Sequence, residues 1–495
     1  MDKFTASSTA GIVALTLALC GCQGLSSGPT TPSNPPGSNS GIDAINHIVV
    51  MVQENRSFDT YFGQLPAYWA ANGFPAQPLD GMPSNASNPG YKGAPTVPAY
   101  HIATECIELL SPSWNESHLD WNLDDPSSTT ARMDGFVYNA ANFAINENAK
   151  GANPQYTDTA GVRAMGYYDG SDLNYYYFMA SNFATSDRWF APALDRTQIN
   201  RMYLYAATSQ GYAFPPGTDA ADNGPLTAAT IFDELDEAGV TWKVYYSDDT
   251  CSSVPPDTER PRAITRDSSA SSNSGACTYL TQLAKYSPPN SLPSNVVPVS
   301  QYLADVKAGM LPSVAFIEAG YESGRDEHPS SGTNVQTGAA YVESLINPLM
   351  TSVSWKDSVF ILTYDEPGGL YDHVPPVPTV NPDGIAPIDL LPTDICGTSN
   401  DPGGFNCDFN YTGYRLPLIV VSPFTKKNYV SHTVADYTAM LKLIETRFSL
   451  PALTMRDAAQ MDMTEFFDFQ AAPWATPPTP PAQAVNGSCN ASVLQ

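Results

Sequence analysis

Val50-Met51-Val52-Gln53-Glu54-Asn55-Arg56-Ser57-Phe58-Asp59-Thr60-Tyr61-Phe62-Gly63 runs from apolar residues straight into a carboxylate, an amide, a guanidinium and a hydroxyl. A short apolar run bounded by polar residues reads as a buried strand. Open parallel sheets bind ligands in the crevice beyond the carboxyl ends of their strands, so the polar groups here fall where a site is expected. Taken alone, Glu54-Asn55-Arg56 also reads as a helix N-cap with a surface ion pair.

Similar apolar runs cover residues 45–52, 240–246, 314–317, 359–364 and 416–421. Segments with helical spacing fall between them, at 226–238, 335–346 and 434–448. This alternation predicts a three-layer α/β/α sandwich with a mainly parallel central sheet. Pro-, Ser- and Asn-rich stretches at 75–98, 251–293 and 375–410 read as loop insertions decorating one domain.

The 495-residue chain is 42% hydrophobic, enough for a sizeable core. Its net charge of -27 and pI near 4.3 exclude nucleic acid as a partner and give an anionic membrane surface no attraction. Lys3 followed by the apolar residues 11–19 reads as an export signal over residues 1–22. Leu19-Cys20-Gly21-Cys22 matches a bacterial lipoprotein box with Cys22 acylated, so the expected destination is the cell envelope through a lipid anchor, or plain secretion. Residues 23–40 then form a polar tether, 41–470 the folded body and 471–495 a Pro-rich tail. The remaining cysteines suit an exported protein, with local pairs Cys251–Cys277 and Cys396–Cys407 leaving Cys106 for Cys489.

The ends of the expected strands select one set of residues. Glu54 and Asn55 follow the first, and Glu318, Glu322, Asp326 and His328 follow the run at 314–317. Asp365 and Glu366 follow the run at 359–364, ahead of Gly368-Gly369 and Tyr371-Asp372-His373. Carboxylates converging at one sheet edge repel, and a bound divalent cation or raised pKa values must offset that repulsion.

These segments resemble the bacterial phosphoesterase family of phosphatidylcholine-type phospholipases C and acid phosphatases. The matching segments are Glu54-Asn55-Arg56-Ser57-Phe58-Asp59-x-Tyr61-Phe62-Gly63, Met133-Asp134-Gly135-Phe136, Thr197-x-x-Asn200-Arg201, Asp326-x-His328-Pro329 and Thr363-Tyr364-Asp365-Glu366-x-Gly368-Gly369-x-Tyr371-Asp372-His373-Val374. The resemblance implies an alkaline-phosphatase-like fold and hydrolysis of phosphate esters through a phosphothreonine on Thr197. It further implies one divalent metal ion held by Glu54, Asn55, Thr197, Asp365 and Glu366. An all-oxygen set of this kind suits Ca, Mg or Mn, with Zn also open. His373, His328 and His118 are the expected proton-handling or phosphate-contacting groups, and Asn200, Arg201 and Asp326 the expected substrate contacts. Relatives carry a further His where this chain has Ser113, which leaves the leaving-group acid open.

Structural readings stand beside these. Asp326 and His328 also read as a loop pair, Arg56 and Arg201 as salt-bridge partners, and His47, His101 and His432 as packing, surface or cap residues. Tyr167-Tyr168 and Tyr175-Tyr176-Tyr177-Phe178 read either as helix core or as an aromatic wall for a choline head group. The short stretch after the last matched segment points to the acid-phosphatase-like or broad phosphoesterase end of the family. The expected substrate is therefore a small phosphate ester or a phospholipid. A sulfate ester on the same fold, or a surface lipoprotein that binds without turnover, are the alternatives.

Overall fold

Ile48, Val49, Val50, Met51 and Val52 are all buried within strand β1 (His47–Gln53). A strand with no polar face must be covered by helices on both sides, and each fully buried Val, Ile or Met side chain contributes about 1.5–3 kcal/mol to that packing. The computed structural model describes residues 41–495 except 216–223, 249–277, 288–289, 291, 321–322, 331–332 and 398–406. Strands β2 (Ala184–Ser186), β3 (Trp242–Tyr246), β4 (Val296–Pro298), β5 (Val314–Glu318), β6 (Ser358–Tyr364), β7 (Ile419–Val421) and β8 (Tyr429–Ser431) complete an eight-stranded sheet. Their order is β8-β2-β7-β6-β1-β5-β3-β4. β1 runs parallel to β5 and β6, β3 to β5 and β4, and β8 to β2, while β7 alone runs antiparallel to both its neighbours.

The helices that concern the site are α1 (Phe58–Phe62), α2 (Trp114–Trp121), α3 (Asn174–Asn182), α4 (Thr197–Ala206), α5 (Ile231–Glu237), α6 (Val299–Ala308), α7 (Val335–Met350) and α8 (Ala439–Phe448). Phe316 of β5 packs against Tyr205 of α4 and Phe232 of α5, with ring centroids 5.6 and 5.4 Å apart. Its register partner Val244 shares that face, so the next residue, Tyr245, points to the other. There it meets Tyr302 of α6 at 5.4 Å, and Tyr302 donates to the Leu345 carbonyl of α7. Helices on both faces of a mainly parallel sheet make the expected three layers.

Element edges differ from the sequence reading for local reasons. α5 starts at Ile231, not 226, because Thr230 and Asp233 close a capping box while Leu226 bridges to Leu283. α8 starts at Ala439 because Ala435 and Asp436 pair as a strand with Trp189 and Phe190. α7 runs past 346 to Met350 and carries Pro348 near its end.

Disulfides join Cys106 to Cys489 and Cys396 to Cys407. The expected Cys251–Cys277 pair lies outside the described residues, as do Glu322, the export signal and the tether. The tail after 470 lies back over the body, where the Glu105 N–H donates to the Ser488 carbonyl and Gln483 Nε2 to the Asp172 carbonyl. Among the described residues, no helix is long and apolar enough to cross a membrane.

Candidate active site

Parallel pairing aligns the carboxyl ends of three central strands: Val52 stands opposite Glu318 of β5 and Thr363 of β6. The chain leaving β1 bends at Asn55, whose φ of 61° is left-handed, a conformation Asn tolerates better than most residues. The chain leaving β6 is stitched against it. Asp365 N–H donates to the Gln53 carbonyl (3.0 Å), and Asp365 Oδ1 accepts from the N–H groups of Asn55 (3.0 Å) and Glu366 (2.8 Å). Gly368, at φ 72°, permits the closeness, since a Cβ there would lie 2.6 Å from the Asn55 carbonyl oxygen. Glu54 and Asn55 thus belong to no helix cap: α1 begins later, at Phe58, with Ser57 as its N-cap.

Thr197 is the first residue of α4, at the helix end where backbone N–H groups and the macrodipole favour negative charge. Its Oγ1 donates to Glu54 Oε2 at 3.2 Å and lies 3.4 Å from Asn55 Oδ1. Glu54 Oε1 accepts from Arg201 Nη2 (2.7 Å) and from the Tyr279 hydroxyl (2.9 Å), and the Arg201 guanidinium stacks on the Tyr279 ring at 4.7 Å. Arg201 also approaches Asp365 Oδ2 and Glu318 Oε2, each at 3.8 Å.

Burial pushes the Glu54 carboxyl upward, but the Arg201 guanidinium beside it, helped by the Tyr279 hydroxyl, outweighs this and holds it below the usual carboxylate range. Asp365 is pushed well up by burial and by Glu54, and Glu366 by burial and by Asp365. Asp365 Oδ2 and Glu366 Oε1 are buried and accept no hydrogen bond, though Glu366 Oε2 accepts from the Gly368 N–H at 2.5 Å. The site therefore holds more buried acid than Arg201 neutralises, with oxygens unsatisfied, and its donors are carboxylate, amide and hydroxyl oxygens. That set fits a hard divalent cation. Two tighter acidic groups occur among the described residues, Asp59–Asp372–His373 and His101–Asp169–Asp172, each with candidate ligand atoms within 4.8 Å of one another. In the first, a cation is already present: Arg415 donates to Asp59 Oδ1 and to Asp372 Oδ1, both at 2.9 Å.

The remaining expected residues separate into near and far. Asp326 is buried, its carbonyl accepts from the Glu54 N–H (2.9 Å) and its Oδ1 from the His328 N–H (3.2 Å). His328 Nδ1 donates to the Pro329 carbonyl (3.0 Å), which makes Nε2 its proton-exchanging nitrogen, and burial pulls the imidazole down to about 4. His373, expected at the phosphate, sits between two carboxylates. Its Nδ1 meets Asp59 Oδ2 at 2.7 Å and its Nε2 meets Asp80 Oδ1 at 3.1 Å, so carboxylates take both nitrogens. His118 is buried on α2, with Nδ1 bonded to the Trp114 carbonyl and its ring 4.4 Å from that of Trp114.

Asn200 also departs from expectation. From within α4 its amide is used on the backbone just before that helix, accepting from Ala193 N–H (3.0 Å) and donating to the Asp195 carbonyl (2.6 Å). Arg201 faces carboxylates rather than open space, and Arg56 is buried against the Glu327 carbonyl and the Tyr61 hydroxyl. Tyr168, Tyr175, Tyr176 and Tyr177 are buried, which favours core over an aromatic wall. The sequence reading missed Tyr279 and Glu327. Tyr279 sits in the insertion at 251–293, where composition carries no site signal; Glu327 lies between the two selected residues Asp326 and His328.

Residues 45–451 match the Phosphoesterase family. Phospholipase C B of Mycobacterium tuberculosis (strain CDC 1551 / Oshkosh) is 28% identical over 462 residues, covering 87% of this chain and 78% of that one. Phospholipase C A of the same strain is 29% identical over 465 residues, covering 88% and 79%. Among solved structures, a protein in the alkaline phosphatase superfamily from Vibrio parahaemolyticus aligns with 12% identity and a TM-score of 0.30, covering 80% of this chain and 78% of that chain.

Proposed function

The chain belongs to the phosphoesterase family and is a phosphoric ester hydrolase, and from that premise we propose that it acts through Thr197 as nucleophile in a metal-dependent, two-step transfer. One observation carries this reading: the Thr197 hydroxyl, at a helix N-terminus, lies 3.2 Å from Glu54 Oε2 and 3.4 Å from Asn55 Oδ1. An ordinary Thr hydroxyl is a poor nucleophile near neutral pH and needs a base or metal coordination. Glu54, Asn55, Thr197, Asp365 and Glu366 are the residues that would hold the divalent ion. When bound, such an ion favours the alkoxide form of the hydroxyl and neutralises charge on phosphoryl oxygens.

In the first step Thr197 Oγ attacks phosphorus, the bond from phosphorus to the ester oxygen breaks, and the departing alkoxide gains a proton. In the second, water attacks phosphorus, the Thr197 Oγ–P bond breaks and Thr197 recovers its proton. Glu54 Oε2 already accepts the Thr197 proton in a hydrogen bond, and His328, hydrogen-bonded through its N–H to Asp326, supplies a second proton-exchanging group. Backbone N–H groups at the start of α4 orient and stabilise the phosphoryl oxygens. The names of the relatives favour a phospholipid phosphodiester as substrate, with phosphomonoesters as the other member of the class. The amino-terminal sequence supports an exported enzyme, lipid-anchored or secreted.

The test is hydrolysis of a chromogenic phosphomonoester and a chromogenic phosphorylcholine ester by the protein lacking residues 1–22, with and without chelator. Turnover of either, lost with chelator and restored by one added divalent ion, is the expected result. A substrate labelled at phosphorus, quenched in acid, should leave label on Thr197. Turnover that survives chelation would remove the metal, and turnover without label would remove the phosphothreonine.

A further inference from the structure

In the loop Asp326-Glu327-His328-Pro329 the Asp326 carbonyl accepts from the Glu54 N–H (2.9 Å) and its Oδ1 from the His328 N–H (3.2 Å), yet the most heavily bonded residue is the one between these two. Glu327 is fully buried and adopts a left-handed backbone with φ 69°. A side chain other than Gly or Asn holds that conformation only where its surroundings over-determine it, and such strain gathers at functional sites. The surroundings here are unusually complete. Oε1 accepts from the Tyr176 hydroxyl (2.5 Å) and Gln53 Nε2 (3.2 Å), and Oε2 from the hydroxyls of Tyr61 (2.7 Å) and Tyr364 (2.8 Å). Arg56 Nη2 donates to the Glu327 carbonyl at 2.5 Å. These donors come from the end of β1, the turn after it, α1, α3 and the end of β6. The opposite wall is α7, where residue 338 must be Gly: a Cβ there would lie 2.1 Å from Glu327 Cγ.

We propose that Glu327 is the positioning residue of this active site. Its carboxylate pins the left-handed turn that sets Asp326 against Glu54 and His328 against Asp326, and it does so without touching substrate. The inference rests on the phosphoesterase reading above and extends it by one shell of residues. It also accounts for Gln53, Arg56 and Tyr61 flanking Glu54-Asn55 in one short motif: they hold the loop that completes the site. A shorter side chain leaves three tyrosine hydroxyls and the Gln53 amide without this acceptor, a Gln leaves two of these four donors facing an NH2 group, and the turn then relaxes away from φ 69°.

The experiment compares wild type with Glu327→Gln, Glu327→Ala and Gly338→Ala. A control, Asp436→Asn, disturbs a buried ion pair with Arg456 (3.0 Å) elsewhere in the core. Three quantities are read: kcat and KM on whichever phosphoester wild type turns over best, the folded fraction by thermal melting, and the imidazole resonances of carbon-13 histidine-labelled protein. The His328 signal is assigned by its loss in His328→Gln. Gly338→Ala leaves every polar partner in place and only displaces Glu327. We expect Gly338→Ala and Glu327→Gln to lose about 10–100-fold in kcat, as removal of an outer-shell partner does, with KM little changed.

Glu327→Gln should retain more turnover than Glu327→Ala. The His328 resonance should move in Gly338→Ala while that of the surface residue His432 stays. Asp436→Asn should melt earlier yet keep kcat per folded molecule and the His328 signal. Folded Gly338→Ala and Glu327→Gln with wild-type kcat would overturn the proposal, as would losses that merely track the folded fraction. If wild type hydrolyses no phosphoester, the functional reading fails. The His328 resonance then decides alone: movement in Gly338→Ala upholds the anchor, and an unmoved signal sinks it.

Discussion

Thr197 combines a weak nucleophile with a strong position. Its hydroxyl makes only long hydrogen bonds, at 3.2 and 3.4 Å, so its removal should cost the fold little. Thr197→Ala is therefore expected to cut kcat by about a thousandfold or more, as loss of a nucleophile does, with an unchanged melting curve. Thr197→Ser should keep substantial turnover, and a dead Ser variant would argue that Thr197 is not the attacking group. His373 tests another residue-level claim, that it belongs to a charge network instead of the reaction. Burial pulls its imidazole down, but the hydrogen-bonded Asp59 outweighs this and holds it above its ordinary value. A group raised on folding stabilises fully below its unfolded pKa, and that contribution fades as pH rises through the folded value. The melting-temperature gap between wild type and His373→Gln should thus be widest below about pH 6.5 and narrow in alkaline solution. A gap that widens with pH would refute the paired imidazolium.

Strand ends explain how much of the site was readable before the structure. Apolar runs marked β1, β5 and β6, and the rule that ligands bind beyond their carboxyl ends selected Glu54, Asn55, Asp365 and Glu366, which the register brings together. Periodicity carries no strand direction, so the antiparallel course of β7 was not legible. Nor could local pattern show that Asn200 is bonded to the backbone ahead of α4 or that His373 lies between Asp59 and Asp80, because both depend on contacts the fold creates. The closeness of the two loops rests on Gly368, and that is testable beside Gly369, which shares its left-handed backbone (φ 72° and 70°). An Ala at either site should cost about 1–2 kcal/mol in strain. Only at 368 would the new Cβ strike Asn55, 2.6 Å from its carbonyl oxygen; at 369 it would meet Leu110 Cβ at 3.1 Å. Gly368→Ala should consequently melt earlier than Gly369→Ala and lose far more kcat per folded molecule, measured by steady-state kinetics alongside thermal unfolding. Equal losses would mean that the approach to Asn55 is immaterial.

Across the whole molecule, stability and chemistry are assigned to different parts. The sheet carries the carboxylates, while the insertions and the tail fasten the periphery and, through Tyr279, reach Glu54. The Cys106–Cys489 bond closes a loop of 383 residues, so it ties the tail to the body over nearly the full length of the described chain. Such a bond restricts the unfolded chain, and losing one typically costs about 2–5 kcal/mol. Around it the tail is held by hydrogen bonds from its main chain, including Asn486 and Gly487 N–H groups donating to the Gln336 side-chain Oε1 at 2.9 Å each. None of these contacts involves Thr197, Glu54, Asn55, Asp365 or Glu366. Replacing Cys106 and Cys489 together by Ala should therefore lower the urea midpoint by the equivalent of about 2–5 kcal/mol while kcat and KM at 25 °C stay at wild-type values. A matching fall in kcat with the protein still folded would instead make the tail part of the catalytic machinery, and the division between fastening and chemistry would have to be redrawn.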